Sequence, residues 1–227
     1  MNIGAYEASR TEASHLLKRH SLLKGAQTTK GLPVAELVRV MRRGSYLHAY
    51  QEAVAQFAYD LLLVDDSFFQ FSYSTDSDGA VTLRYAFLQQ PFDFPTYEGF
   101  LQEYGFEPSE VGDAFLGEFE QALTEADLNT GAVSLRYDYC ESTYRPGCHS
   151  VSHLHVGWNN EIRVPVHCYA TPVAFVLFAL RHVYPRIWAG LLDQTDFAET
   201  VRQAKRLCPE LESEHLTELD STQLYLQ

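Results

Sequence analysis

The sequence reads AVSLRYDYC at residues 132–140, HLHVGW at 153–158 and EIRVPV at 161–166, and each segment has an apolar side chain at every second position. Successive side chains of a β-strand point to opposite faces of its sheet, so this alternation predicts three strands that each bury one face. Asn159 and Asn160 separate the last two segments by the two residues of a tight hairpin turn. The segments are therefore expected to be neighbours in an antiparallel sheet.

Two earlier segments, residues 67–74 and 80–88, alternate in the same way and flank the turn sequence TDSDG. This pattern predicts a further hairpin. Asp65 and Asp66 precede it and are typical of a turn.

Apolar residues with helical spacing predict the remaining elements. Helices are expected at residues 7–24, 33–43, 46–57, 172–183, 186–192 and 195–207, and in two pieces within 96–128. Strands and helices occur in blocks, without the βαβ rhythm of a parallel sheet. The fold class is therefore α+β, a mainly antiparallel sheet packed by N-terminal, central and C-terminal helices.

The chain is predicted to be a single domain over residues 1–227. Its parts are a helical, partly basic N-terminal region (1–57), a sheet core with helices (58–192) and a C-terminal helical region (193–227) whose acidic end is expected to fray. No apolar run approaches the roughly 20 residues that span a bilayer. No membrane association and a cytoplasmic location are expected, with Cys140, Cys148, Cys168 and Cys208 as reduced thiols.

The net charge of −13 argues against broad, non-specific nucleic-acid binding, but the charge is uneven. Residues 1–50 hold eight Lys/Arg and three Asp/Glu, which gives +5, and the rest hold nine and twenty-seven, which gives −18. The basic stretch could contact nucleic acid or an acidic protein partner. The simpler interpretation is a helix with a solvated basic face.

One face of the predicted sheet carries a set of polar side chains suited to chemistry: Arg84, Arg136, Asp138, His153, His155, Arg163 and His167. A solvated sheet face is polar by default, and this remains the alternative interpretation. However, these strands contain no lysine. Arginine and histidine are the residues suited to binding phosphate and to moving protons near neutral pH.

The leading hypothesis is a metal-independent nuclease, with RNA as the favoured substrate. His153 and His155 would act as general base and general acid, Arg136 and Arg163 would stabilise charge on the phosphate, and Asp138 would orient an imidazole. Arg84, His149 and His167 would bind the substrate. This mechanism expects both imidazoles at an accessible hollow and requires no metal and no cofactor.

Two alternatives stay open. The chain could be a non-catalytic subunit that binds a protein partner, or a metalloenzyme that uses His149, His153, His155 and Asp138. A structural zinc site at Cys140, Cys148 and His149 lacks the spacing of a ribbon or finger. The sequence has no phosphate-binding P-loop, no G-x-G-x-x-G, no G-x-S-x-G and no H-E-x-x-H motif.

From about Tyr46 onward the chain resembles the bacterial domain-of-unknown-function family numbered 2290. The resemblance lies in these segments: DSFFQF from Asp66, LRYAFLQQP from Leu83, RYDY from Arg136, SHLHVG from Ser152, RVPV from Arg163, TP at Thr171, and FVLF from Phe175 with YP at Tyr184. It implies an uncharacterised protein of bacterial mobile or defence-linked gene neighbourhoods. The RYDY and HLH arrangement is also similar, loosely, to small bacterial toxins that act on RNA. Ser150 stands where the resemblance implies proline, which leaves the role of His149 open.

Overall fold

The computed structural model describes residues 1–27, 45–91, 97–125, 132–158 and 162–222 of the chain. Within them, seven strands form one antiparallel sheet whose strand order follows chain order. The strands are β1 (Leu23–Ala26), β2 (Leu61–Leu63), β3 (Phe68–Thr75), β4 (Val81–Leu88), β5 (Ser134–Cys140), β6 (Ser152–Val156) and β7 (Ile162–Pro165). Every strand therefore lies beside the next strand along the sequence.

Eight α-helices lie in the same ranges. They are α1 (Ile3–Arg19), α2 (Tyr46–Ala55), α3 (Tyr97–Glu103), α4 (Pro108–Val111), α5 (Leu116–Glu125), α6 (Pro172–Val183), α7 (Pro185–Leu192) and α8 (Phe197–Arg206). The apolar helix α6 begins where Thr171 Oγ1 accepts a hydrogen bond from the Ala174 amide, with Pro172 in the first turn. None of these helices is both long and apolar enough to cross a membrane.

The main core lies between one face of the sheet and helices α1 and α6. Alternate residues of the central strands, such as Phe69, Tyr85 and Tyr137, are fully buried on this face. Phe175 of α6 packs against Phe69 and Tyr85 at ring-centroid distances of 6.1 Å and 5.8 Å. The period-2 pattern of the sequence thus becomes one continuous aromatic core.

The opposite face of the sheet has two different halves. Near β2 and β3 it is apolar, because Phe68 and Leu88 pack against Tyr50 of helix α2. Towards β5, β6 and β7 the side chains on this face are Arg, Asp and His. The described helices therefore cover the apolar half, and the polar half carries the candidate site.

The predicted fold class, α+β with an antiparallel sheet, is confirmed. The five predicted strands correspond to β3–β7 and differ from them by a few residues at their ends, whereas β1 and β2 were not among the predicted strands. The predicted helix 33–43 and the Asn159-Asn160 turn lie outside the described residues. The helix predicted at 7–24 is wrong at its end. Helix α1 ends at Arg19, Ser21 takes a positive φ of 57°, and the chain turns into β1, which pairs with β2.

The predicted fraying of the acidic C-terminal end is wrong for its described part. His215 and Asp220 are buried at 9% and 1% exposure, and two short 3-10 turns, Ser213–His215 and Asp220–Thr222, fold against the body. The reason is that Asp220 accepts four hydrogen bonds, which outweigh the charge repulsion expected of an acidic tail.

Two buried tyrosines at neighbouring core positions give a matched stability test. The Tyr137 hydroxyl lies 2.9 Å from Ser152 Oγ and accepts a hydrogen bond from the Ala170 amide at 3.0 Å. The Tyr85 hydroxyl is buried without a hydrogen-bond partner in the described structure. We expect Tyr137→Phe to lower the free energy of unfolding by about 2 kcal/mol.

For Tyr85→Phe we expect an unchanged free energy of unfolding, or a rise of up to about 1 kcal/mol, because the substitution removes an unpaired buried hydroxyl. Urea denaturation of both variants and the wild type measures the difference. Equal destabilisation by the two substitutions would contradict this account of the core.

Candidate functional site

The sheet register brings six of the eight predicted site residues together on one face. They lie in two adjacent cross-strand rows, Arg84–Asp138–His153 and Arg136–His155–Arg163. Residues directly opposite each other in an antiparallel pair have Cβ atoms about 5 Å apart, so the side chains of each row are in mutual reach.

Asp138 is the only carboxylate in these rows, and it is held by one arginine. Arg136 Nε and Nη2 both contact Asp138 Oδ2, at 2.9 Å and 2.8 Å. Asp138 Oδ1 is buried and has no hydrogen-bond partner among the described residues. Burial alone would raise the pKa of Asp138, but His155 and the Arg136 guanidinium outweigh it and lower the pKa, so the carboxylate is charged near neutral pH.

His153 is 2% exposed and has one ring nitrogen fixed. Its Nδ1 lies 2.9 Å from the Ser150 carbonyl oxygen, which can only accept, so Nδ1 carries the proton. The Nε2 lone pair is then directed towards the Asp138 side of the site, 3.9 Å from Oδ2. Burial, with nearby His155, lowers the pKa of His153 to about 4. The imidazole is therefore neutral near physiological pH.

His155 is 1% exposed and is the least satisfied group of the site. Its Nε2 lies 3.4 Å from Asp138 Oδ2, but the alignment is not that of a hydrogen bond, and both ring nitrogens lack hydrogen-bond partners in the described part of the chain. A buried N–H without a partner costs about 1–3 kcal/mol. Such a group in a folded protein points to a partner that binds there.

The nuclease hypothesis expects both imidazoles at an accessible hollow, whereas in the described structure His153 and His155 are buried. The reason for His153 is the connection between β5 and β6. From this connection the His149 ring packs edge-on against the His153 ring, with centroids 4.9 Å apart, and His153 packs in turn on His155 at 4.8 Å. The three imidazoles therefore form one continuous row, with half-buried His149 at its outer end.

Asp220 holds this connection in place from the C-terminal part of the chain. Its carboxylate accepts hydrogen bonds from the Tyr144 hydroxyl at 2.5 Å and the Gly147 amide at 2.9 Å, and from the amide and hydroxyl of Thr217. Gly147 has a φ of +68°, and a Cβ there would lie 3.0 Å from the Leu219 side chain. The position of His149 thus depends on contacts more than 70 residues away.

The remaining predicted residues lie at the edge of the site. Arg84 and Arg163 are exposed and make no ion pair within the part of the chain that the structure describes. Arg163 is nevertheless near enough to help lower the pKa of His149 and His153, although burial is the largest cause at both residues. The predicted extension of β7 to His167 is wrong. The strand ends at Pro165, the Val166 amide makes one further hydrogen bond to the Ser152 carbonyl, and His167 then lies exposed in a bend.

Asp138, His153 and His155 form a group that could hold a metal ion. One ligand atom from each residue lies within 4.8 Å of the others. Within the described ranges this is the one such group, so Cys140, Cys148 and His149 do not form the zinc site considered from the sequence. Two imidazoles and one carboxylate are ligands that zinc, iron and other first-row metals accept.

A family comparison covers most of the chain. The profile described as "Uncharacterized conserved protein (DUF2290)" matches residues 30–226. The chain belongs to this family. None of the curated proteins and none of the solved structures matches it.

Sequence reasoning did not find every residue that shapes the site in this DUF2290 member. Ser150 contributes only a backbone carbonyl, which no sequence pattern reveals. Asp220 lies in an acidic segment whose composition resembles a solvated tail. The turn-forming residues around Gly147 indicate a loop in the sequence, but they do not indicate that Asp220 holds it.

Replacement of Asp220 tests the anchor. Burial would raise the pKa of Asp220, but its hydrogen bonds outweigh burial and hold the pKa below that of an ordinary aspartate. We expect Asp220→Asn to lower the free energy of unfolding by about 2 kcal/mol near neutral pH. Because the pKa of Asp220 is lower in the folded than in the unfolded state, its carboxylate stabilises the fold at pH values above the unfolded-state pKa. The stability lost in Asp220→Asn therefore shrinks as the pH falls through the folded-state pKa.

The measurement is urea denaturation at several pH values. Asp193→Asn, which makes the same substitution at an exposed aspartate, is the control. If the two variants are equally stable near neutral pH, Asp220 does not anchor the connection.

Proposed function

We propose that this chain is a metal-dependent hydrolase whose ion is bound by Asp138, His153 and His155. The observation that carries the proposal is the convergence of three ligand atoms within 4.8 Å, two of them from imidazoles with 2% or less exposure. Buried polar groups are usually paired, and here Asp138 Oδ1 and both His155 nitrogens are unpaired among the described residues. A bound ion would pair one nitrogen of His155 and one oxygen of Asp138.

The separations of these atoms fit an ion. Two ligands that each lie about 2.1 Å from a tetrahedral ion are about 3.4 Å apart. Asp138 Oδ2 lies 3.4 Å from His155 Nε2, which equals this separation, and 3.9 Å from His153 Nε2, which exceeds it by about 0.5 Å.

The surroundings supply the outer contacts that metal ligands normally have. A metal-bound histidine usually donates its other ring N–H to a carbonyl or carboxylate, and His153 does so to Ser150. A metal-bound carboxylate is usually hydrogen-bonded to a neighbouring residue as well, as Asp138 Oδ2 is to Arg136. Both contacts fix the orientation of the ligands before the ion binds.

Three protein ligands leave a coordination position open, which is typical of catalytic rather than structural metal sites. An ion held there by Asp138, His153 and His155 would lower the pKa of a water in that position, so that a hydroxide would be available near neutral pH. Addition of the hydroxide oxygen to the electrophilic atom of the substrate would break the bond to the leaving oxygen, which would take up the proton released from the water. Hydrolysis is therefore the reaction class that the site supports best.

Metal binding is the first test. We expect the wild-type chain, freed of metal and titrated with Co²⁺ or Zn²⁺, to bind about one ion per chain. His155→Ala and Asp138→Asn should each weaken binding at least about 100-fold, because each removes one of three ligands. Elemental analysis and the visible absorption of bound Co²⁺ measure occupancy and affinity.

Exposed His48, on helix α2, provides the matched control, since His48→Ala also removes an imidazole. It should bind the ion as the wild type does. A wild-type chain that shows no saturable binding of either ion would overturn the proposal, as would equal affinities of all four proteins.

The metal-independent ribonuclease predicted from the sequence is the second candidate. It is favoured by the guanidinium of Arg163, which lies exposed beside His155 in the cross-strand row. In this mechanism one imidazole takes the 2′-hydroxyl proton and the other protonates the leaving oxygen, while Arg136 and Arg163 stabilise the phosphate.

Chelation separates the two candidates. If the ion is required, EDTA should abolish cleavage of single-stranded RNA, and restored Zn²⁺ or Mn²⁺ should recover it in the wild type but not in His155→Ala. Cleavage that persists in EDTA and is lost in His155→Ala would instead support the metal-independent mechanism. Equal cleavage by both proteins would exclude His155 from either one.

Four further properties are proposed for the chain. They are a role as a non-catalytic subunit with a protein partner, contact with RNA or another nucleic acid, a bacterial defence or toxin-like setting and a cytoplasmic location. The uneven charge of the chain, +5 over residues 1–50 and −18 beyond, supports a contact between the N-terminal region and an acidic partner.

A further inference from the structure

The site has more positive charge than its buried carboxylate needs. The two cross-strand rows contain Arg84, Arg136 and Arg163 against Asp138 alone, so the fixed charge of these strand residues is 3 − 1 = +2. The whole chain has a net charge of −13. This face is therefore a local positive region on an acidic protein.

The three guanidinium groups have different neighbours. Arg136 is bound to Asp138. Arg84 and Arg163 are exposed at opposite corners of the rows, and neither is paired with a carboxylate in the described ranges. Arg163 lies directly opposite His155, one of the three candidate metal ligands. Within the described residues, Arg163 is therefore an exposed arginine without a carboxylate partner, paired across the strands with a candidate ligand.

A divalent ion at the site would add to this excess of positive charge. The summed charge of these strand residues and the ion would then be +4. This repulsion would weaken binding of the ion when no anion is present. An anion bound between the ion and Arg163 would reduce the repulsion, and each of the two ligands would then strengthen the binding of the other. Guanidinium forks bind the oxygens of phosphate in bidentate geometry.

We infer that the substrate of this site is a phosphodiester anion, which Arg163 binds beside the metal ion, with Arg84 adding charge at the opposite corner. This inference rests on the proposed metal site. The anion enters at the exposed edge formed by Arg163 and His149, and the ion occupies the buried position among Asp138, His153 and His155. Metal binding and phosphodiester binding are therefore coupled.

The coupling is measured by Co²⁺ titration of the metal-free full chain in the presence of dimethyl phosphate, a monoanionic phosphodiester. Trimethyl phosphate, at equal concentration, is the uncharged control. We expect dimethyl phosphate to lower the Co²⁺ dissociation constant about tenfold and trimethyl phosphate to leave it unchanged. By reciprocity, Co²⁺ should tighten dimethyl phosphate binding by the same factor.

Arg163→Gln should remove most of this coupling, and Arg163→Lys should keep part of it because it retains the charge without the fork. Arg186→Gln, on the exposed surface of helix α7, is the matched control and should couple like the wild type. Arg163 is exposed on a strand at the end of the described sheet, and circular dichroism of each variant checks that it is folded.

The outcomes separate the two claims. If Co²⁺ binds with the same affinity with and without dimethyl phosphate, the metal site stands and the phosphodiester inference is overturned. It is also overturned if Arg163→Gln couples as strongly as Arg186→Gln. If no condition gives Co²⁺ binding, the proposed metal-dependent function fails and the inference fails with it.

Discussion

The cross-strand pairing of Asp138 with His153 is the constraint on which the candidate site depends. A slip of one residue between β5 and β6 would turn His153 and His155 to the opposite face of the sheet. On that face the Tyr85 ring packs against the rings of Tyr137 and Phe175, at centroid distances of 5.2 Å and 5.8 Å. The aromatic core on one side of the sheet therefore fixes the register, and the register fixes which polar side chains face one another on the other side.

The site is also a place where the fold retains polar groups at a cost. Arg136 compensates one oxygen of Asp138, and the Ser150 carbonyl compensates one nitrogen of His153. Asp138 Oδ1 and the two nitrogens of His155 have no such compensation in the described structure. Unpaired polar atoms buried in a folded chain cost about 1–3 kcal/mol each. Their concentration at one point is more informative than the isolated hydroxyl of Tyr85, because one ion could bind both residues at once.

The sequence predicts the sheet well because alternation is a local property. Residues 132–140, 153–158 and 161–166 define both the strands and the face on which the arginines and histidines lie. Strand β1 escaped prediction because its four residues, LKGA, follow a helix without a proline to separate them. The contact of Asp220 with Gly147 spans 73 residues, and no local pattern contains it. Periodicity likewise gives the face of His153 but not the loop that covers it.

A metal ligand and a general acid place opposite demands on a histidine. A ligand is neutral, fixed by its second nitrogen and shielded, as His153 is. A general acid must exchange protons with its substrate. For RNA to reach His153, the connection that includes His149 would have to move away from Asp220, with the loss of hydrogen bonds to Tyr144 and Gly147. An ion is far smaller than RNA, so it can occupy the buried position while a large anion stays at the exposed guanidinium of Arg163. In this proposal the buried imidazoles would hold the ion, and the exposed guanidinium of Arg163 would bind the anion.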